Sequence, residues 1–275
     1  MIDSIMEMFS YSFMVRAFIT GLFISTCASI IGVSLVLKHY SMMGDGLSHV
    51  GFGALAIAVV LNQSPLYLSL PVVMLCAFLL LSISTRSKMQ ADAAIALIST
   101  TALASGVMIL SLTTGMNTDV CNYLFGSILG MKVSDMYITI TLCSVIIILY
   151  VLFYPKIFAI TFDETFAKAS GIRVKYYNLA LALMSAIIIT LGMKMMGALL
   201  ISNLIVIPAL TAMRVCRSFK SVVLYSFFIS IFCFSVGLYV SYEFSTPTGA
   251  SIVLINVLLF VLHYLAEKMR LTHAL

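Results

Sequence analysis

The sequence predicts an all-α, polytopic membrane helical bundle, and three observations predict it. Apolar residues fill 62% of the 275 positions, against 9% for Asp, Glu, Lys and Arg together. Soluble domains carry about 25% charged residues, so this chain cannot cover a surface that faces water. The apolar residues also form continuous runs of about 20, the length that crosses a bilayer as a helix. A membrane β-barrel would show short alternating strands instead. Finally, nearly all the charge falls in the intervals between the runs.

Taken in order, the runs near 13–37, 45–61, 67–84, 92–113, 136–154, 178–193, 195–213, 222–241 and 249–265 read as spans. Ahead of the first, MIDSIMEMFSYSFMVRAF is acidic and lacks the basic region of a cleavable signal, so it is expected to stay on the mature chain. The runs at 45–61 and 178–213 admit a broken or tilted helix, so the expectation is eight or nine transmembrane helices. Residues 114–135, between the fourth and fifth spans, are too polar to cross. The stretch NYLFGSILGM within them suits either a re-entrant gate or a surface loop, because non-helical backbone at membrane depth needs protein or a cavity around it. Pro and Gly clusters mark hairpin turns at Gly192–Gly197 and Ser245–Ala250, and Pro208 is expected to kink the seventh span. Nothing resembles a linker or a second soluble unit, so residues 1–275 are expected to form a single transmembrane domain.

Charge sets the orientation. The loops 38–44, 85–91, 155–177, 214–220 and 266–275 hold 12 of the 15 basic residues, while Asp3, Glu7, Asp119, Asp135 and Glu243 fall on the other face. Basic residues mark the cytoplasmic side, which puts the C-terminus inside and the N-terminus outside. The net charge of +5 is therefore explained without nucleic acid. With no tryptophan, the 13 tyrosines supply the interfacial belt. Of the six cysteines, Cys27, Cys76, Cys143 and Cys233 lie inside apolar runs, and Cys121 and Cys216 fall on opposite faces, so no disulfide framework is expected.

Ionisable residues within spans are costly and are candidates for function. Asp45 and His49, in Gly44-Asp45-Gly46-Leu47-Ser48-His49, are four apart and share one face of a helix. A carboxylate with an imidazole suits a divalent transition metal such as zinc or manganese. The same two residues also suit plain structural roles, Asp45 as a helix N-cap and His49 as a hydrogen-bonded core residue. One Asp and one His make an incomplete site, but a two-fold dimer with this face on its axis supplies two of each, enough for four-coordinate zinc.

Two further features stand out. Thr161-Phe162-Asp163-Glu164-Thr165-Phe166-Ala167-Lys168-Ala169-Ser170-Gly171 reads as a short cytoplasmic amphipathic helix. Thr161 and Glu164 would form its capping box, Gly171 its terminator, and Phe162, Phe166 and Ala169 its apolar side. That side either docks a partner or rests on the lipid interface. Ser202 and Asn203, near Pro208, either glue helices together or line a pathway. The 18 methionines, including those at 193, 195 and 196, are read as apolar filler. No G-x-x-x-x-G-K-[ST], H-E-x-x-H or G-x-S-x-G motif occurs, which argues against ATP hydrolysis by a phosphate loop and against an intramembrane protease or hydrolase.

In this order, Gly32 to Lys38 with Ser41 to His49, Thr161 to Ile172, Gly197 to Met213, and Thr246 to Leu254 resemble the permease subunits of metal-importing ABC transporters of the zinc/manganese/iron class. The run Asn122 to Ser127 is similar to zinc permeases of Gram-positive bacteria. The resemblance implies a homodimer of helical bundles in the bacterial cytoplasmic membrane, with the pathway on the two-fold axis. Asp45 and His49 then correspond to metal contacts. Thr161, Phe162, Asp163, Glu164, Phe166 and Gly171 fall in the coupling helix that docks into a separate cytoplasmic ATPase dimer. An extracytoplasmic metal-binding protein delivers the ion. No cofactor is held permanently: zinc is the expected cargo, with manganese or iron(II) as alternatives, and ATP acts only through the partner. Gly46 stands where alanine is common in the family, and Asn203 where a small residue is common, which makes Asn203 a candidate for tuning selectivity. A secondary transporter driven by an ion gradient is the lesser alternative. It predicts inverted repeats, and none is visible in the sequence.

Overall fold

The computed structural model describes residues 2–86, 91–113 and 133–272. All regular structure among them is helical: α1 (Ile2–Ser10), α2 (Ser12–Leu37), α3 (Met42–Val60), α4 (Pro65–Arg86), α5 (Ala91–Thr113), α6 (Val133–Phe162), α7 (Glu164–Ala169), α8 (Val174–Met196), α9 (Ala198–Val215), α10 (Phe219–Phe244) and α11 (Thr248–Thr272). Each of the nine expected spans corresponds to one of the long helices. Eight are long and apolar enough throughout to cross a membrane, and the apolar part of α4 is the shorter Leu66–Ser82. Helices are the form such a chain must take, since lipid offers no hydrogen-bond partner to an open backbone. The expected gate or loop at 114–135 lies outside the described residues except for its last three, which open α6.

The polar ends of several spans are helical where the sequence suggested loops. α6 continues past Pro155 and Lys156 to Phe162, and the Lys156 ammonium sits 5.3 Å from the centre of the Tyr177 ring. A lysine at a span end can keep its charge near water while its stem remains on the helix. α11 likewise absorbs Glu267, whose carboxylate pairs with Arg214 at 3.2 Å. The turn expected over Gly192–Gly197 narrows to Gly197, at φ 90°, with Gly192 inside α8.

α2, α3 and α8 form the buried centre, while α5, α6 and α11 leave most of their surface at the periphery. α3 packs against α4, α5, α8 and α9, and α9 packs against α2, α10 and α11. Gly32 brings the backbones of α2 and α9 together, because a Cβ there would fall 1.9 Å from the Ile205 carbonyl oxygen. Gly44 of α3 meets the same residue, Ile205, from the other side. Gly32 lies five residues before the end of α2, about 8 Å along the helix. The start of α3 is thereby packed against α9.

Candidate functional site

Asp45 and His49 occupy the first two turns of α3, which begins at Met42 after Ser41. Asp45 is therefore a first-turn residue and not the N-cap, and the positive end of the helix favours its negative charge. His49 Nε2 lies 3.6 Å from Asp45 Oδ2, with 24% of the imidazole and 56% of the carboxylate exposed. That separation exceeds a hydrogen bond. Two ligand atoms held about 2.1 Å from one tetrahedral ion stand about 3.4 Å apart, so the pair is spaced as two ligands of one ion. His49 Nδ1 is buried and has no hydrogen-bond partner among the described residues. No group of three or more His, Cys, Asp or Glu side chains gathers anywhere among the described residues. Within the chain, Asp45 and His49 thus form a two-residue cluster on a half-exposed face.

Ser202 and Asn203 enter from α9. Gly44 stacks against the backbone of Ser202, 3.8 Å from where its Cβ would lie. The Ser202 hydroxyl donates to Ala198 O at 3.2 Å. Asn203 Oδ1 is buried and unpartnered among the described residues. The backbone of Ser202 thus lies beside the first turn of α3, and Asn203, the next residue of α9, is turned about 100° from it around the helix.

The short helix expected over Thr161–Gly171 exists, with a different start. Thr161 belongs to the last turn of α6 and donates its hydroxyl to Ile157 O at 2.6 Å. The N-cap of α7 is Asp163, whose Oδ1 accepts from Thr165 N at 2.8 Å and Phe166 N at 2.9 Å. Asp163 is extended, as a cap must be, whereas Thr161 is already helical and cannot serve. Gly171 terminates the helix at φ 80°. Gly171 N donates to Lys168 O at 3.1 Å and Ile172 N to Ala167 O at 3.0 Å, the two bonds of a Schellman motif. The buried side of α7 is Ala167, packed with Ile160, Ile172 and Val174. Ala169 is exposed. Phe162 packs on Phe158 and Phe219 with ring centres 4.9 and 5.9 Å apart, while Phe166 stands 66% exposed. Beside α7 a cavity of about 410 Å³ opens between α4 and α8, lined by Phe78, Leu81, Lys168 and Tyr176 among others.

One residue beside α7 was read in sequence only as a basic loop residue within a family-like stretch. The side chain of Lys38, at the end of α2, is 5% exposed. Its ammonium donates to Glu164 Oε1 at 2.6 Å, to Asn178 Oδ1 at 2.9 Å and to Ile160 O at 3.1 Å. Asn178 Nδ2 closes the ring by donating to the same Glu164 oxygen at 2.9 Å. Partial burial pushes the Glu164 carboxyl up, but the hydrogen bonds from Lys38 and Asn178 outweigh it and hold the group below the usual carboxylate range.

A helical membrane bundle with no hydrolytic motif, a carboxylate–imidazole pair on one face of a central helix, and a short helix presented at one end define a polytopic transport subunit. The chain belongs to the ABC 3 transport family, whose model matches residues 10–267. In that family it is the membrane-embedded subunit, and the ATPase is a separate one. It is 27% identical to the manganese import system permease protein ScaB of Streptococcus gordonii, over 98% of this chain and 96% of that one. It is 30% identical to the high-affinity zinc uptake system membrane protein ZnuB of Haemophilus influenzae, over 90% and 94%. Its fold is similar to that of PsaBC from Streptococcus pneumoniae, solved in complex with Fab, with a TM-score of 0.86 at 28% identity over 96% of this chain and 95% of that one.

Proposed function

We propose that the chain is the permease of an ATP-driven importer of divalent transition metal ions, with zinc as the cargo and manganese or iron(II) as the alternatives. The observation that carries this reading is the Asp45–His49 pair, set at ligand spacing with one imidazole nitrogen buried and unpartnered. Two subunits related by a two-fold axis would supply two carboxylates and two imidazoles, a set that suits tetrahedral zinc. Manganese prefers more oxygen donors, and the free Asn203 oxygen is the residue here best suited to shift that balance.

Residues 1–275 act as one transmembrane unit in a bacterial cytoplasmic membrane. The basic loops and the C-terminus face the cytoplasm, following the positive-inside rule. On that side α7 docks a cytoplasmic ATPase dimer through Phe166 and its neighbours, and an extracytoplasmic metal-binding protein delivers the ion to the opposite face. ATP-driven closure and opening of the ATPase dimer alternates access to Asp45 and His49, which hold the ion between the two states and release it inward.

Uptake of zinc by vesicles containing permease, ATPase and delivery protein tests this reading. Asp45→Ala and His49→Ala should each abolish uptake while the complex still assembles. Wild-type uptake in both variants would reject the site, and uptake by the permease without its ATPase would favour the secondary-transporter alternative. Competition among zinc, manganese and iron(II) in the same vesicles assigns the cargo.

A further inference from the structure

We infer that Lys38 is a positioning residue that ties the docking helix to the metal-bearing helix, so that movement of α7 is delivered to Asp45 and His49. The inference rests on the proposed docking role of α7. A charge with 5% exposure is held at three points, each on a different element: the last turn of α6 through Ile160, α7 through Glu164, and α8 through Asn178. Without those partners a lysine would not be buried here. Glu164 is the first residue of α7, next to its cap Asp163. The grip is therefore on the fixed end of the helix and leaves the exposed Phe166 free to meet a partner.

From Lys38 the connection to α3 is short and stiff. His39 takes a left-handed conformation at φ 59°. His39 N donates to Val36 O at 3.1 Å and Tyr40 N to Leu35 O at 2.8 Å, while Met43 N donates to Tyr40 O at 3.0 Å. This Schellman closure of α2 runs directly into α3. Asp45 follows Lys38 by seven residues. A shift of α7 thus either carries the start of α3 with it or breaks a nearly fully buried ammonium from its carboxylate. The packed alternatives available to such a network are discrete, the property that lets a local push move a site.

The test uses the reconstituted complex of permease, ATPase and delivery protein in vesicles. Three quantities are read: co-purification of the ATPase, the thermal midpoint of the permease, and the ratio of ATP hydrolysis with zinc-loaded delivery protein to hydrolysis without it. Lys38→Met should lower that ratio by about 10-fold, within the usual range for coupling between sites, while the ATPase still co-purifies. The double variant Lys38→Met with Glu164→Leu removes both charges and is expected to regain thermal stability, as apolar replacement of ion pairs often does. It should remain uncoupled.

Recovery of the ratio along with stability in the double variant would make Lys38 a structural residue only and overturn the inference. A wild-type ratio in Lys38→Met, or loss of ATPase binding together with the ratio, would overturn it too. If Lys38→Met does not fold, the double variant alone decides. If the wild-type complex shows no hydrolysis stimulated by delivery protein loaded with zinc, manganese or iron(II), the proposed function fails instead, which is a separate outcome.

Discussion

The same substitution at two glycines that face one residue should have opposite effects. In Gly32→Ala the new Cβ lies 1.9 Å from Ile205 O, 2.8 Å from its carbonyl carbon and 3.1 Å from its Cα. All three are backbone atoms, so no rotamer change can relieve the clash and α2 must part from α9. Overpacking of this kind costs about 1–3 kcal/mol, with a rigid obstacle at the top of that range. Helix propensity returns about 1 kcal/mol, leaving a net loss of about 2 kcal/mol. In Gly44→Ala the nearest atoms are Ile205 Cδ1 at 3.4 Å and Ser202 Cα at 3.8 Å, both ordinary contacts. Here the gain of up to about 1 kcal/mol in propensity stands unopposed. The assay is thermal unfolding of the detergent-purified permease, followed by a thiol-reactive dye that reports exposure of the buried Cys27, Cys143 and Cys233. Gly32→Ala should unfold below wild type and Gly44→Ala at or above it. A Gly44→Ala midpoint as low as that of Gly32→Ala, or a Gly32→Ala midpoint equal to wild type, would refute the packing of α2 and α3 on Ile205.

Three other outcomes are expected. His39→Gly should raise the thermal midpoint, because a left-handed conformation costs a residue with a side chain about 1 kcal/mol and glycine nothing comparable. Phe166→Ala should weaken ATPase binding by about 10-fold or more, as loss of an interface anchor does. The permease midpoint should not change, since the ring is 66% exposed in the isolated chain. A pH titration of the midpoint should isolate Glu164. Its carboxyl is held low in the folded chain, so its contribution is complete above the ordinary carboxylate range near pH ~4.3 and is lost as pH falls through the depressed folded value. Wild type should therefore lose stability in acid more steeply than Glu164→Gln, and equal acid limbs would contradict the Lys38–Glu164 pairing.

The spans were legible because each is a long apolar run, and membrane helices announce themselves by composition over about 20 residues. Their ends were not. Pro155-Lys156 and Glu267-Lys268 look like loop residues in sequence, yet a helix at the membrane surface can continue through polar residues whose charges reach water or a partner. The start of α7 was misplaced for a local reason. Thr161 and Glu164 satisfy the spacing of a capping box, and so does Asp163 with the backbone of Phe166, and only the extended conformation at Asp163 decides between them. The Asp45–His49 face was legible from helical spacing alone, and Gly171 from the need for a left-handed terminator. Lys38 was not, because its partners Ile160, Glu164 and Asn178 lie 122, 126 and 140 positions away. In sequence it is one basic residue of a loop, and only the folding of α2 against α6, α7 and α8 turns it into a buried cation.

X-ray absorption at the zinc edge of the assembled, zinc-loaded transporter reads the ligands of the ion at Asp45 and His49 directly. About four nitrogen and oxygen ligands at ~2.0–2.1 Å with imidazole scattering are expected, with loss of that scattering in His49→Gln. A sulfur shell at ~2.3 Å, or an unchanged spectrum in His49→Gln, would contradict ligation at Asp45 and His49.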